Sequence, residues 1–132
     1  MTTVRREPIQ EGITLLTLDR PERLNALSRE LVHDLHEALD AVEDDRDCRV
    51  VILTGAGRGF CSGLDLRETG DIAAEVGGGP PAAMRAQQHI ASLVTQLRGL
   101  SKPVIAAVNG PATGGGLALA LATIGTYGVI SY

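Results

Sequence analysis

What this 132-residue chain has least of narrows its possibilities first. Aromatic residues make up 2% of it and tryptophan is absent, which removes the stacking platforms that single-stranded nucleic acid needs. Only one basic residue, Lys102, is a lysine, and the net charge is −4. No basic footprint for nucleic acid follows from such a balance. The two cysteines, Cys48 and Cys61, have neither metal-binding nor redox spacing, so reduced thiols in a cytoplasmic protein are the expectation. The N-terminus passes from Met1 through Arg5-Arg6 to Glu7-Pro8 with no apolar core, and no secretory signal is expected there. The longest apolar stretch, beginning at Leu117, is far short of the ~20 residues a membrane span needs. No membrane partner is expected.

What is present suits one α/β domain. Hydrophobic residues at 44% and charged residues at 21% are ordinary for a globular chain. Ile13–Leu18 reads as a strand closed by the turn signal Asp19-Arg20-Pro21, with residues 3–9 as its hairpin partner and Glu11-Gly12 as the turn. Ser28 has the chemistry of a helix N-cap, and Leu31, Leu35, Leu39 and Val42 repeat at helical spacing. Val50–Leu53 reads as a strand buried on both faces, of the parallel-sheet kind, and Val104–Val108 as another buried strand. Glu75–Pro81 reads as a hinge loop, followed by a helix over about 82–100 with Ile90, Leu93, Val94, Leu97 and Leu100 inward.

Two glycine-rich turns each follow a strand: Gly55-Ala56-Gly57-Arg58-Gly59-Phe60-Cys61-Ser62-Gly63-Leu64-Asp65, and Asn109-Gly110-Pro111-Ala112-Thr113-Gly114-Gly115-Gly116. Glycine lets backbone N–H groups approach a ligand without a side chain intervening. Brought together, two such turns can aim a pair of amides at one oxygen and make an oxyanion hole. The common phosphate loops do not fit. Neither turn has the Walker lysine, and Gly55-x-Gly57-x-Gly59 lacks the third glycine of a dinucleotide fingerprint. Ser62 does not sit in a Gly-x-Ser-x-Gly elbow, so it reads as a backbone donor rather than a nucleophile. His33, His36, Glu37 and Asp40 share a helix face and could hold a metal, although a polar face opposite the leucine stripe is expected anyway. His89 reads as solvated.

Four stretches together resemble the enoyl-CoA hydratase/isomerase (crotonase) family. They are Leu18-Asp19-Arg20-Pro21-Glu22-Arg23-Leu24-Asn25-Ala26-Leu27, the run Val51 to Leu66, Lys102 to Gly110, and Thr113 to Ala120. The resemblance covers residues 12 to about 122. It implies a ββα superhelix, truncated before its C-terminal helical part, and an acyl-CoA substrate. It places the oxyanion donors on the backbone amides of Ser62 and Gly115. It also implies that Leu24, Ala26, Leu64, Asp65 and Leu66 line the coenzyme A path, with Arg23 and Arg67 toward the phosphates. Coenzyme A would be part of the substrate, so no separate cofactor is expected. A mobile segment over the acyl pocket would fall at Gly77–Pro81, and a homo-oligomer, trimer or hexamer, would be the assembly.

The pattern also breaks. Hydratases of the family carry a glutamate where this chain has Ala118, and residues 122–132 depart from the family pattern. The expectation is a single, incomplete domain with an atypical tail, as from a frameshift, an early stop or a fragment, with apolar surface left for self-association. Two functional classes therefore stand open: an enolate-stabilising enzyme of the family, or a non-catalytic coenzyme A-binding or structural remnant of one. A nucleotide-binding α/β domain is the third reading.

Overall fold

The computed structural model describes residues 2–68, 80–123 and 129–131. Strand β1 (Val4–Gln10) and strand β2 (Ile13–Leu18) form an antiparallel hairpin across Glu11-Gly12. Helix α1 (Arg29–Asp44) leads to β3 (Val50–Gly55), helix α2 (Pro80–Gly99) to β4 (Val104–Val108), and helix α3 (Gly115–Ala122) to β5 (Val129–Ser131). The five strands lie in chain order in one sheet, and every pairing after the hairpin is parallel. Each parallel pair is bridged by a helix, the connection such pairs need.

Local chemistry explains the element ends. Ser28 has extended backbone, and its hydroxyl accepts from the Leu31 N–H at 3.1 Å, satisfying one orphan donor of α1. Pro80 and Pro81 lie inside α2 rather than in the expected hinge loop. Proline is tolerated in a first helical turn, where its missing N–H would have no partner anyway. The rest of that loop, including Gly77–Gly79, lies outside the described residues. At the far end of α1, the Lys102 ammonium donates to the carbonyls of Val42 and Asp45, capping the negative end of the helix.

Leu31, Leu35, Leu39 and Val42 of α1 pack with Leu93 and Leu97 of α2 and Leu119 of α3 over Leu16, Leu18, Val51, Leu53, Val104 and Ala106. The opposite sheet face, with Ile13, Leu15, Ile52 and Ile105, is only half-buried. The expectation that Val50–Leu53 is buried on both faces is thus corrected. Its burial alternates, because the helices described here cover one face alone. The tail, expected to be atypical, adds a fifth strand whose Val129 pairs with Ala106 and whose Ser131 pairs with Val108. No helix among the described residues is long and apolar enough to cross a membrane.

One glycine fixes how α3 seats on the sheet. A Cβ added at Gly116 would collide with the backbone carbonyl of Cys61. A Cβ at Gly99, by contrast, would meet nothing within 4 Å. Gly116→Ala should therefore cost about 3 kcal/mol in urea denaturation, through forced backbone displacement. Gly99→Ala should be neutral or stabilising by up to about 1 kcal/mol, because alanine restricts the unfolded chain. Equal effects of the two substitutions would show that this contact does not seat the helix.

Candidate functional site

The site begins where β2 ends. A 3-10 turn at Pro21–Arg23 feeds Leu24 and Asn25, whose φ values of 51° and 55° are both left-handed. Asparagine tolerates that region, whereas leucine pays on the order of 1 kcal/mol. Such strain persists only where the surroundings over-determine it. Here the determinant is the Asn25 carboxamide, which is fully buried. Its oxygen accepts from the Arg20 N–H at 2.8 Å, and its nitrogen donates to the carbonyls of Ala56, Gly59 and Phe60 at 3.0, 3.0 and 3.2 Å.

A second carboxamide reaches the same turn from β4. Asn109 Oδ1 accepts from the Gly55 N–H at 3.1 Å, and its Nδ2 donates to the carbonyls of Gly57 and Gly59 at 3.1 and 3.2 Å. The Gly59 carbonyl thus serves both asparagines. Together they satisfy the carbonyls of a turn too tight to pair with itself.

The two glycine turns interlock. Phe60 and Cys61 N–H donate to the Pro111 carbonyl at 3.0 and 3.3 Å, and Thr113 N–H donates to the Cys61 carbonyl at 3.1 Å. The Thr113 hydroxyl donates to the Ser62 carbonyl at 3.0 Å. Gly63, at φ 93°, lies so close to the start of α3 that a Cβ there would fall 2.9 Å from the Thr113 oxygen and 3.2 Å from the Gly115 nitrogen.

The amides of this junction are not equivalent. Ser62 N–H donates to the Leu24 carbonyl at 3.0 Å, so the donor expected at Ser62 is already spent inside the protein. Leu27 N–H donates to the Gly63 carbonyl at 2.6 Å and Asp65 N–H to the Leu27 carbonyl at 3.2 Å. This pairing leaves the Leu64 N–H between them directed away from Leu27. Among the described residues, no protein acceptor takes the N–H of Leu64 or that of Gly115. Gly115 opens α3, where N–H groups have no partner within the helix and the dipole favours negative charge.

Beside this junction runs an open groove of about 420 Å³, lined by Glu22, Arg23, Leu24, Ala26, Arg58, Ser62, Leu64, Asp65, Leu66 and Arg67. The structure brings Arg23, Leu24, Ala26, Ser62, Leu64, Asp65, Leu66 and Arg67 together on this groove, while Gly115 is not on the groove wall. Sequence reasoning missed Arg58, which sits in the middle of the first turn. It also missed Arg20, which donates to the Ala26 carbonyl at 2.7 Å and to Asp65 Oδ2 at 3.1 Å.

That second bond changes the role of Asp65. Its other oxygen accepts from the N–H groups of Arg67 and Glu68 at 3.1 and 3.2 Å, capping the helical turn at 66–68. Burial pushes the Asp65 carboxyl up, but the Glu68 amide and the Arg20 guanidinium outweigh it, with help from the Arg23 charge, and hold it below the usual carboxylate range. Asp65 ties the two loops together, and its carboxylate is occupied by protein groups. The other candidates for chemistry fare no better. Helix α3 carries no carboxylate, and Ala118 only continues its ladder, donating to the Gly114 carbonyl at 3.1 Å. Burial pushes the free Cys61 thiol up to about 11 despite the Gly63 N–H beside it, so it is no nucleophile near neutral pH.

The expected metal face is divided. His36 and Asp40 turn toward α2, where both meet the Gln96 carboxamide, Asp40 at 2.7 Å. His33, Asp34 and Glu37 do converge within 4.8 Å, but His33 and Glu37 pair at 3.3 Å and Asp34 accepts from the Thr3 N–H and hydroxyl, each at 2.8 Å.

Comparisons with known proteins identify the family and the fold. The family model of enoyl-CoA hydratase/isomerase matches residues 8–125. A probable enoyl-CoA hydratase of Mycobacterium leprae is 47% identical over 111 residues, covering 83% of this chain and 38% of that protein. The 1,2-epoxyphenylacetyl-CoA isomerase of Escherichia coli is 45% identical over 113 residues, covering 86% of this chain and 42% of its own. An enoyl-CoA hydratase structure from Bacillus anthracis superposes with a TM-score of 0.87 at 33% identity, over 98% of this chain and 47% of that one. The chain spans roughly two fifths of the length of these curated relatives.

The Arg20–Asp65 pair gives a pH signature. A carboxyl held below its ordinary value contributes stability above that value and loses it as pH falls through the folded one. Thermal stability should therefore decline below about pH 4, the ordinary carboxylate range. Asp65→Asn should cost about 2–3 kcal/mol at pH 7, by leaving Arg20 without its counter-charge, and should flatten that decline. Scanning calorimetry from pH 7 to 3 checks both. An unchanged slope in the variant would remove Asp65 from the account.

Proposed function

This chain belongs to the enoyl-CoA hydratase/isomerase family, and from that premise we propose that it binds an acyl-CoA thioester and stabilises its enolate with backbone amides. The observation that carries this reading is the pair of amides, Leu64 and Gly115, that no acceptor among the described residues takes, where two interlocked turns meet. A thioester oxygen gains negative charge as its α-carbon loses a proton. Two fixed N–H donors beside it stabilise that charge without reorganising, and removing one such donor typically costs ~10²–10³ in rate. In this reading Leu64, not Ser62, supplies the first donor. Ser62 N–H instead holds the Leu24 carbonyl, and so shapes the wall along which the substrate runs.

The groove supplies the remainder. Leu24, Ala26 and Leu66 offer apolar contact to the pantetheine arm. Arg23, Arg58 and Arg67 line the same groove and offer three guanidiniums for the phosphates. Leu66 is 77% exposed, as suits a side chain that closes on a ligand. Proton transfer needs a positioned acid or base, and α3 supplies none. The part proposed for this chain is therefore enolate stabilisation, which hydration and isomerisation of a coenzyme A thioester share. The same absence of a carboxylate at Ala118 favours a second reading, a coenzyme A-binding module without turnover.

Isothermal titration with acetyl-CoA and with free coenzyme A tests the proposal. Saturable binding of both, with the thioester about tenfold tighter, is the expected result, as one or two added hydrogen bonds would give. Equal affinities would leave the coenzyme A-binding reading. Binding of neither, by a cooperatively folded chain, would overturn both.

A further inference from the structure

Asn109 is half-buried and takes no part in the groove, yet it touches both ends of the site's frame. Its carboxamide grips the first glycine turn at Gly55, Gly57 and Gly59. Its own backbone opens the second turn, which reaches Pro111, Thr113 and finally Gly115. Among the described residues, Asn109 alone makes this link where both turns leave their strands; the Thr113 hydroxyl links them further along, at the Ser62 carbonyl. Asn25 holds the first turn from the opposite side but belongs to the loop after β2. The contacts further along, the backbone bonds at Pro111 and Thr113 and the bond from the Thr113 hydroxyl to the Ser62 carbonyl, hold the turns together without fixing where each leaves its strand.

We propose that Asn109 is a positioning residue that sets the separation of the Leu64 and Gly115 amides, and so tunes recognition of a ligand carbonyl oxygen specifically. The inference rests on the enolate-stabilising reading above. The chain from β3 to Leu64 is pinned at its start by Asn109. The chain from Asn109 to Gly115 starts from the same residue. Losing the side chain frees the Gly57 carbonyl and the Gly55 N–H and lets the first turn shift against the second. Two donors converging on one oxygen tolerate little displacement, since a hydrogen bond weakens steeply with distance and angle. Most of the coenzyme A path, by contrast, runs along residues 22–26 and 64–67, which Asn109 does not contact; the rest of the groove lining, the exposed Arg58 and the half-buried Ser62, belongs to the first turn.

The test compares acetyl-CoA with S-ethyl-CoA, a thioether that keeps the coenzyme A and a two-carbon chain but lacks the carbonyl oxygen. The ratio of their affinities isolates the oxygen's contribution. In the unsubstituted protein the thioester should bind about tenfold tighter. Asn109→Ser should bring that ratio to about one while the thioether affinity stays within about twofold. Asn109→Asp, which keeps the acceptor for the Gly55 N–H but loses both donors, should do the same. A purely structural role would weaken both ligands in parallel and leave the ratio intact, which would overturn the proposal. Should the serine variant fail to fold, the aspartate variant is read in its place, and Gln96→Ala, remote from the turns, controls for a general loss of stability. A ratio of one in the unsubstituted protein would overturn the enolate-stabilising reading itself, a different failure from an unchanged ratio in the variants.

Discussion

The structure depends on two carboxamides. Asn25 and Asn109 approach one tight turn from opposite sides and between them satisfy the carbonyls of Ala56, Gly57, Gly59 and Phe60. A turn of this kind cannot pair its own carbonyls, and leaving the buried ones of Gly59 and Phe60 unpaired would cost about 1–3 kcal/mol each. The asparagines remove that cost and, in doing so, fix three segments relative to one another: the loop after β2, the turn after β3 and the turn after β4. These leave the sheet at the carboxyl ends of their strands, where ligands bind in parallel α/β folds.

Backbone, not side chains, makes the candidate chemistry. Gly63 and Gly114 meet where the two turns touch, and their contribution is to let two main chains approach. Charged groups stand back from that point. Asp65 and Arg20 are consumed in holding loops together, and the arginines lie along the groove. Such a division suits a site that stabilises charge on a substrate oxygen while leaving proton transfer to groups supplied from elsewhere.

Much of this was legible in the sequence. The strand and helix order, the Ser28 cap, the two glycine turns and most of the groove residues follow from local patterns and family resemblance. Three things were not. The donor was placed at Ser62, because spacing locates a turn but not the direction of each N–H. Direction is set by distant partners, the carbonyls of Leu24 and Leu27. Asp65 read as a substrate contact because its bond to Arg20 joins residues 45 positions apart. The double burial assigned to Val50–Leu53 failed for another reason. An apolar run records what a strand can bury, whereas its outer neighbour must be present to bury it.

The central claim is that Leu64 and Gly115, and not Ser62, present free amides to a ligand oxygen. Proton–nitrogen correlation spectra of the labelled chain during titration with acetyl-CoA test it most directly. A new hydrogen bond moves an amide proton downfield, so the signals of Leu64 and Gly115 should shift in that direction while that of Ser62 stays near its position. A downfield shift at Ser62 with Leu64 unmoved would contradict the account and return the donor role to Ser62.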